Sequence, residues 1–160
     1  MNREGVTESF AEARHEFEFG MDLHAAARTH VPVLISASPT SALRLTEAIA
    51  GRLSTTDHTI RILACDVADC GGELGAVLSP AEPLRAPRAS IVLLREVHTL
   101  TEAGQSVLRR LITTRAPEAP RVFASSSVSL YERVKDGLFD AELFYYLNAV
   151  HIVTSEGEFN

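Results

Sequence analysis

Lysine is almost missing from this chain: Lys135 stands alone against 14 arginines, and there is no tryptophan. A glycine-rich phosphate loop uses a lysine to reach the outer phosphates. The scarcity therefore asks where Lys135 stands and whether it could do that job. Cysteine is also scarce, with only Cys65 and Cys70, spaced C-x4-C. Two thiols hold at most half of a tetrahedral metal site, and no histidine stands close by in sequence. They read as reduced residues without a special role. No apolar run approaches the roughly 20 residues a membrane span needs. The first ten residues, MNREGVTESF, contain no signal-type apolar stretch. A spanning protein is excluded, and a cytoplasmic location is expected. Excess positive charge is absent too. A formal charge of −6 and a pI near 5.5 argue against broad capture of a nucleic-acid backbone.

What is present is the mix of an ordinary globular domain. Of 160 residues, 46% are apolar and 22% charged, enough to bury one core without disulfides or metals. Residues 1–6 read as a frayed tail and residues 7–160 as a single domain. Phe10, Ala13, Phe17, Met21, Ala25 and Arg28 recur at helical spacing, which predicts an amphipathic helix that Gly20 can divide. Apolar runs at 31–35 (VPVLI), 60–64 (IRILA), 91–94 (IVLL), 121–124 (RVFA) and 150–153 predict five strands. Helices are predicted over 43–53, 99–115, 130–135 and 141–147, with Thr99 or Thr101 capping the second of these. The stretch 66–90 holds three glycines, at 71, 72 and 75, and prolines at 80, 83 and 87; it reads as a loop.

Apolar strands alternating with helices imply a three-layer α/β domain around a mainly parallel sheet covered on both faces. Ligands of such sheets sit beyond the carboxyl ends of the strands. Chemistry is therefore to be sought in the loops after Ile35, Leu94 and Ala124. Other constellations read as structural. His15, His24 and His30 do not stack on one helical face. Asp66 follows a strand, but SASP after the first strand lacks the acidic pair a phospho-receiver needs. Ser125, Ser126 and Ser127 lack a nucleophile elbow. Phe139, Phe144, Tyr145 and Tyr146 read as packing.

From Gly137 to Ile152 the chain runs GLFDAELFYYLNAVHI. This resembles the G-x-F-R-x-D-L-Y-Y-R-L-N-x-x-x-I motif of the AAA+ ATPase domain of bacterial enhancer-binding proteins, the activators of sigma-54 RNA polymerase. Gly137, Phe139, Leu143, Tyr145, Leu147, Asn148 and Ile152 match. The likeness continues upstream in the same order. VLISASPTSA aligns with V-L-I-T-G-E-S-G-T-G-K. SIVLLREVHTL aligns with the Walker B segment G-T-L-F-L-D-E-I. LTEAGQSVLRRLI is similar to the next helix, and RVFASSS aligns with the sensor strand R-V-I-A-A-T-N. Together these segments span about residues 21–153.

The resemblance implies a P-loop NTPase-like AAA+ core with strand order 5-1-4-3-2 and no lid subdomain. It also implies that the family's chemical groups are replaced. The loop Ala37-Ser38-Pro39-Thr40-Ser41-Ala42-Leu43 has no glycine and no lysine, and Pro39 removes an N–H from any phosphate cradle. Ser38, Thr40 and Ser41 are what is left for an anion. Arg95 stands where the family has its Mg²⁺-associated aspartate and is a possible anion contact. Glu96 is a Walker B remnant, expected as a surface carboxylate or a partner of Arg95. Ser127 takes the sensor asparagine's place. Asp140 and Tyr146 stand at the two arginine-finger positions, where an acid reverses the field. The segment 66–90 is about half the family's length and lacks the G-A-F-T-G-A loop that contacts sigma-54. No DNA-binding helix-turn-helix is seen.

The expectation is a non-catalytic pseudo-ATPase. It would have no catalytic residue, metal or cofactor, no direct DNA binding and no membrane contact. It would act through a protein partner or as a homo-oligomer, possible contact with an intact enhancer-binding ATPase included. The alternatives are a weak nucleotide- or anion-binding domain, or an enzyme with an unrecognised small ligand at the remodelled site.

Overall fold

The computed structural model describes residues 23–28, 30–53, 59–66, 70–78, 91–114 and 119–154. The expected tail, most of the expected first helix and the prolines of 79–90 lie outside them. The described residues form α1 (residues 23–28), β1 (Val33–Ser36), α2 (Pro39–Ala50), β2 (Ile60–Ala64), α3 (Cys70–Leu78) and β3 (Ile91–Arg95). A 3-10 turn follows at Val97–Thr99. Then come α4 (Glu102–Thr113), β4 (Arg121–Ser126), α5 (Leu130–Lys135), α6 (Ala141–Leu147) and β5 (Val150–Val153).

All four strand pairings are parallel, in the order β2-β3-β4-β1-β5, the expected order read from its other edge. The three central strands are mainly apolar and largely buried, β4 at every residue including Arg121, Ser125 and Ser126. Burial on both faces is why they do not alternate. The edge strands are partly exposed, with Arg61 and Ile62 of β2 open to solvent. Alternate residues of each strand feed two cores. Val33, Ile35, Leu93 and Phe123 pack with Leu45 and Ile49 of α2 and with Leu23 and Ala26 of α1. Leu34, Leu94, Val122 and Ala124 pack with residues of α3, α4, α5 and α6, among them Leu74, Leu108, Leu130 and Leu143. These are the three layers the apolar pattern implied.

Several boundaries differ from the sequence expectation. The stretch 66–90 is not all loop, because α3 occupies Cys70–Leu78. Its prolines fall beyond Leu78, and Leu74, fully buried, anchors a glycine-rich helix through packing where propensity is poor. The helix α2 begins at Pro39 rather than at 43. Proline suits the first helical turn, where its missing N–H has no partner to lose. The helix expected over 99–115 divides in two. Thr99 belongs to the 3-10 turn, and Thr101 caps α4 by accepting from Gly104 N–H at 3.1 Å. The strand β4 continues to Ser126, so Ser125 and Ser126 are buried strand residues rather than loop. No described helix is long and apolar enough to cross a membrane.

Candidate functional site

The parallel sheet directs the ends of β1, β3 and β4 to one edge of the molecule. The connection from β1 to α2 is short: only Ala37 and Ser38 separate them. Ala37 N–H donates to the Ser126 carbonyl at 3.2 Å, which holds the chain against β4. Ser38 Oγ accepts from Ser41 N–H at 3.3 Å, and the Ser38 carbonyl accepts from Ala42 N–H at 2.9 Å. Ser38 Oγ also donates to Ser41 Oγ at 3.0 Å. The N-terminal N–H groups that could turn toward an anion are thus partly taken up by the helix's own cap. Thr40 is exposed. Leu43, aligned with the family's lysine, is half-buried against the α2-side core. Lys135 is elsewhere, on α5. It pairs with Glu132 at 2.7 Å and lies over the Tyr131 ring at 5.3 Å from its centroid.

At the end of β3 the expected pairing of Arg95 with Glu96 is not what forms. The Arg95 guanidinium faces Asp66 at 4.0 Å, across the end of β2. The carboxylate of Glu96 turns to β4, where it accepts from Ser127 O–H at 2.6 Å and from Ser127 N–H at 3.1 Å. The reason is local backbone geometry. Glu96 has φ 58° and ψ 50°, the left-handed region, and it is the one non-glycine residue with positive φ among those described. That turn reverses its direction relative to Arg95. Glu96 is therefore covered rather than a free surface carboxylate.

Sequence reasoning missed His98. Its Nδ1 lies 3.1 Å from Ser126 Oγ and 3.6 Å from the Glu96 carboxylate. Burial holds its pKa below the usual histidine range, and the nearby Arg133 adds to that, while Glu96 and Asp66 oppose it. Ser126 Oγ in turn donates to the Val128 carbonyl at 2.6 Å. The signal was available in part: His98 follows β3 by three residues and Ser126 ends the neighbouring strand. The same nitrogen of His98 faces both Ser126 and Glu96, so the trio does not form a relay of nucleophile, base and orienting acid. It ties two strand ends together.

Most of the C-terminal motif is packing, while its Leu138 and Tyr145 are exposed. Phe139, Leu143, Leu147 and Ile152 are buried. Gly137 has φ 71°, a conformation that glycine adopts without a Cβ penalty. Asp140, at the first finger position, caps α6 by accepting from Leu143 N–H at 2.7 Å and pairs with Arg109 at 3.0 Å. Arg109 also reaches Glu142 at 2.9 Å. Tyr146, at the second finger position, is half-buried against the core. Gln105, buried on α4, bonds the Leu100 carbonyl at 3.0 Å, the Leu138 carbonyl at 3.3 Å and Asp140 N–H at 2.7 Å. It therefore fixes the 138–140 turn to α4. A groove of about 480 Å³ is lined by Ser106, Val107, Arg109, Arg110 and Thr113 of α4 and by Glu142 of α6; none of these is a strand-end residue. Among the described residues no group of three or more His, Cys, Asp or Glu could hold a metal ion.

The model of the sigma-54 interaction domain matches residues 11–155. No curated protein matches the chain. Among solved structures, NtrX from Brucella abortus in complex with ADP is similar at a TM-score of 0.66 and 18% identity, over 85% of this chain and 35% of NtrX. The P-loop NTPase domain of the sigma-54 transport activator from E. coli is similar at 0.56 and 18% identity, over 79% of this chain and 98% of that domain. RuvB from Thermotoga maritima gives 0.59 and 18% identity, over 97% of this chain and 46% of RuvB. The chain therefore spans about a third of NtrX and almost the whole of the isolated E. coli domain. At these identities the likeness is one of fold.

Proposed function

We propose, from the premise that this chain belongs to the sigma-54 interaction domain family, that it is a contact module of that fold which neither binds nor hydrolyses ATP. The observation that carries the reading is the two-residue, self-capped connection between β1 and α2. Phosphates are held by backbone N–H groups of a wide glycine-rich loop and by a lysine. Here Pro39 supplies no N–H and Ser38 occupies that of Ser41. Leu43, partly inside the core, replaces the cation. Arg95 would repel the magnesium ion that accompanies a nucleoside triphosphate. In this reading the residues present do not fit the nucleotide, and no catalytic step runs through it. Glu96 remains at the water-activating position, but its carboxylate is engaged by Ser127.

Isothermal titration of the chain with ATP–Mg²⁺, paired with phosphate release, tests this. No heat and no release at high micromolar ATP are expected. Micromolar binding with measurable hydrolysis would sink the reading.

Protein contact is the function left to such a scaffold, and the exposed apolar side chains on and beside α5 and α6 favour it. Tyr131, Leu138 and Tyr145 are 57%, 56% and 76% exposed. Large exposed aromatics are enriched where proteins meet. We place this contact in transcriptional control through an intact sigma-54 activator. Co-elution with such an activator and a drop in its ATPase rate are the expected results. An unchanged rate in the presence of excess chain would remove the regulatory part and leave self-assembly.

A further inference from the structure

The outer edge of β2 carries backbone groups that the sheet does not use. Among the described residues β2 pairs only with β3, and it stands at one end of the strand order. The Thr59 carbonyl accepts from Ile91 N–H at 3.2 Å, and Cys65 N–H donates to the Arg95 carbonyl at 2.9 Å. A parallel ladder takes its bonds from alternate residues, so Thr59, Arg61, Leu63 and Cys65 face β3. Ile60, Ile62 and Ala64 therefore turn their N–H and carbonyl groups away from the sheet. Edge strands are usually blunted by proline, lysine, a bulge or a cover. The run IRILA has no proline and no lysine, and its register with β3 is unbroken. Ile62 is 45% exposed. It shares a strand face with Ile60, which packs on the α2-side core, whereas Leu63 belongs to the other core.

We propose that two copies of this chain pair through β2, antiparallel about a twofold axis at Ile62, and so join their five-stranded sheets into one. The strand is complementary to its own copy in this register. Ile62 meets Ile62 of the second copy, and Ile60 meets Ala64 on either side of the axis. Every outward-facing residue then opposes another outward-facing residue. Each such pair exchanges two N–H···O bonds, so the three pairs give about six. Their side chains are all apolar and lie on one face, where cross-strand contact stabilises the pairing. On the opposite face Arg61 stands against Leu63, so its charge is not set directly against its own copy. An axis at Arg61 would place the two arginines directly opposite each other, which is unfavourable. An axis at Leu63 would shorten the overlap.

The other edge offers less. Thr154 N–H donates to the Ser36 carbonyl at 3.1 Å, so within β5 only His151 and Val153 turn their backbone groups outward. Twofold pairing through β2 occupies that edge in both copies, so it closes at a dimer instead of growing along the sheet. A contact between two five-residue strands is smaller than a standard interface, so the association is weak. Such a dimer needs neither ATP nor an activator, and it stands or falls separately from both.

The test is sedimentation velocity of the full chain over a concentration series, with residue-resolved amide exchange at its two ends. A monomer–dimer equilibrium is expected, shifted to dimer at high concentration. There the amides of Ile60, Ile62 and Ala64 should exchange several-fold more slowly, while those of Arg61 and Leu63, already bonded to β3, change little. Ile62→Pro removes an outward N–H and no bond to β3. Ile62→Lys keeps the backbone but sets two ammonium groups against each other. Both variants should stay monomeric with a wild-type circular dichroism spectrum, and Tyr145→Ala, on α6, should still dimerise. Overturning results are a wild type that is monomeric throughout, slowing that does not alternate along β2, a dimer that survives Ile62→Lys, or one that Tyr145→Ala abolishes.

Discussion

Glu96 shows how one residue's backbone decides where its charge goes. A glutamate after an apolar strand beside an arginine invites the reading of a local ion pair. At φ 58° it instead points across to β4, and Ser127 satisfies its carboxylate through two hydrogen bonds. A left-handed conformation costs an L-residue about 1–2 kcal/mol, and these bonds offset that cost. The backbone part can be separated by substitution. Glu96→Ala and Glu96→Gly both lose the carboxylate, but only glycine escapes the Cβ penalty. Glu96→Gly should therefore be more stable than Glu96→Ala by about 1 kcal/mol, read as a difference in urea unfolding free energy. Equal stability would mean that the strain is relieved some other way. His98 is the complementary case. Its position just after β3 was the only hint along the chain, because its partner Ser126 lies on another strand.

Among the elements, α6 and its approach carry the motif by which the family was recognised. Their residues act here as structural parts. Asp140 is both the N-cap of α6 and the partner of Arg109, while Gln105 holds the turn before it. The two roles of Asp140 separate by chemistry. Asparagine keeps an N-cap oxygen but loses the charge, and alanine loses both. Asp140→Ala should destabilise the chain by about 1–2 kcal/mol. Asp140→Asn should cost about 0.5 kcal/mol or less, because a half-exposed ion pair contributes little. Thermal or urea unfolding of the two variants checks this; an asparagine variant as unstable as the alanine one would make the ion pair the dominant role. Element positions were largely legible from apolar runs. Helix α3 was not, since its glycines and the prolines after it carry loop signals, whereas its stability comes from burying Leu74.

For the whole molecule, the strand-end cluster gives stability a pH dependence. The pKa of His98 is held below its ordinary value by burial, with Arg133 in support and Glu96 and Asp66 opposed. Below the ordinary histidine pKa of about 6.5, the unfolded chain takes up a proton more readily than the folded one, so acid favours unfolding. His98 thus supports full stability above that value and loses its contribution as pH falls through and below it. Wild type and His98→Gln compared by urea unfolding from about pH 7.5 to pH 5 should differ in slope, the wild type losing more. Parallel slopes would show that the imidazole titrates alike in both states.

The sequence by itself determined the layers, the strand count and the family. Those properties follow from local apolar patterning and from a motif whose residues are consecutive. It also determined which chemical groups stand at the aligned positions, Leu43, Arg95, Ser127 and Asp140 among them. Only the tertiary structure decided what those groups do. Ser38 takes up an N–H of the α2 N-terminus, Glu96 crosses to Ser127, and Arg95 faces Asp66. Most of these partners lie on different strands or helices. Their pairing depends on strand order, register and the direction of one left-handed residue, none of which is written in the spacing along the chain.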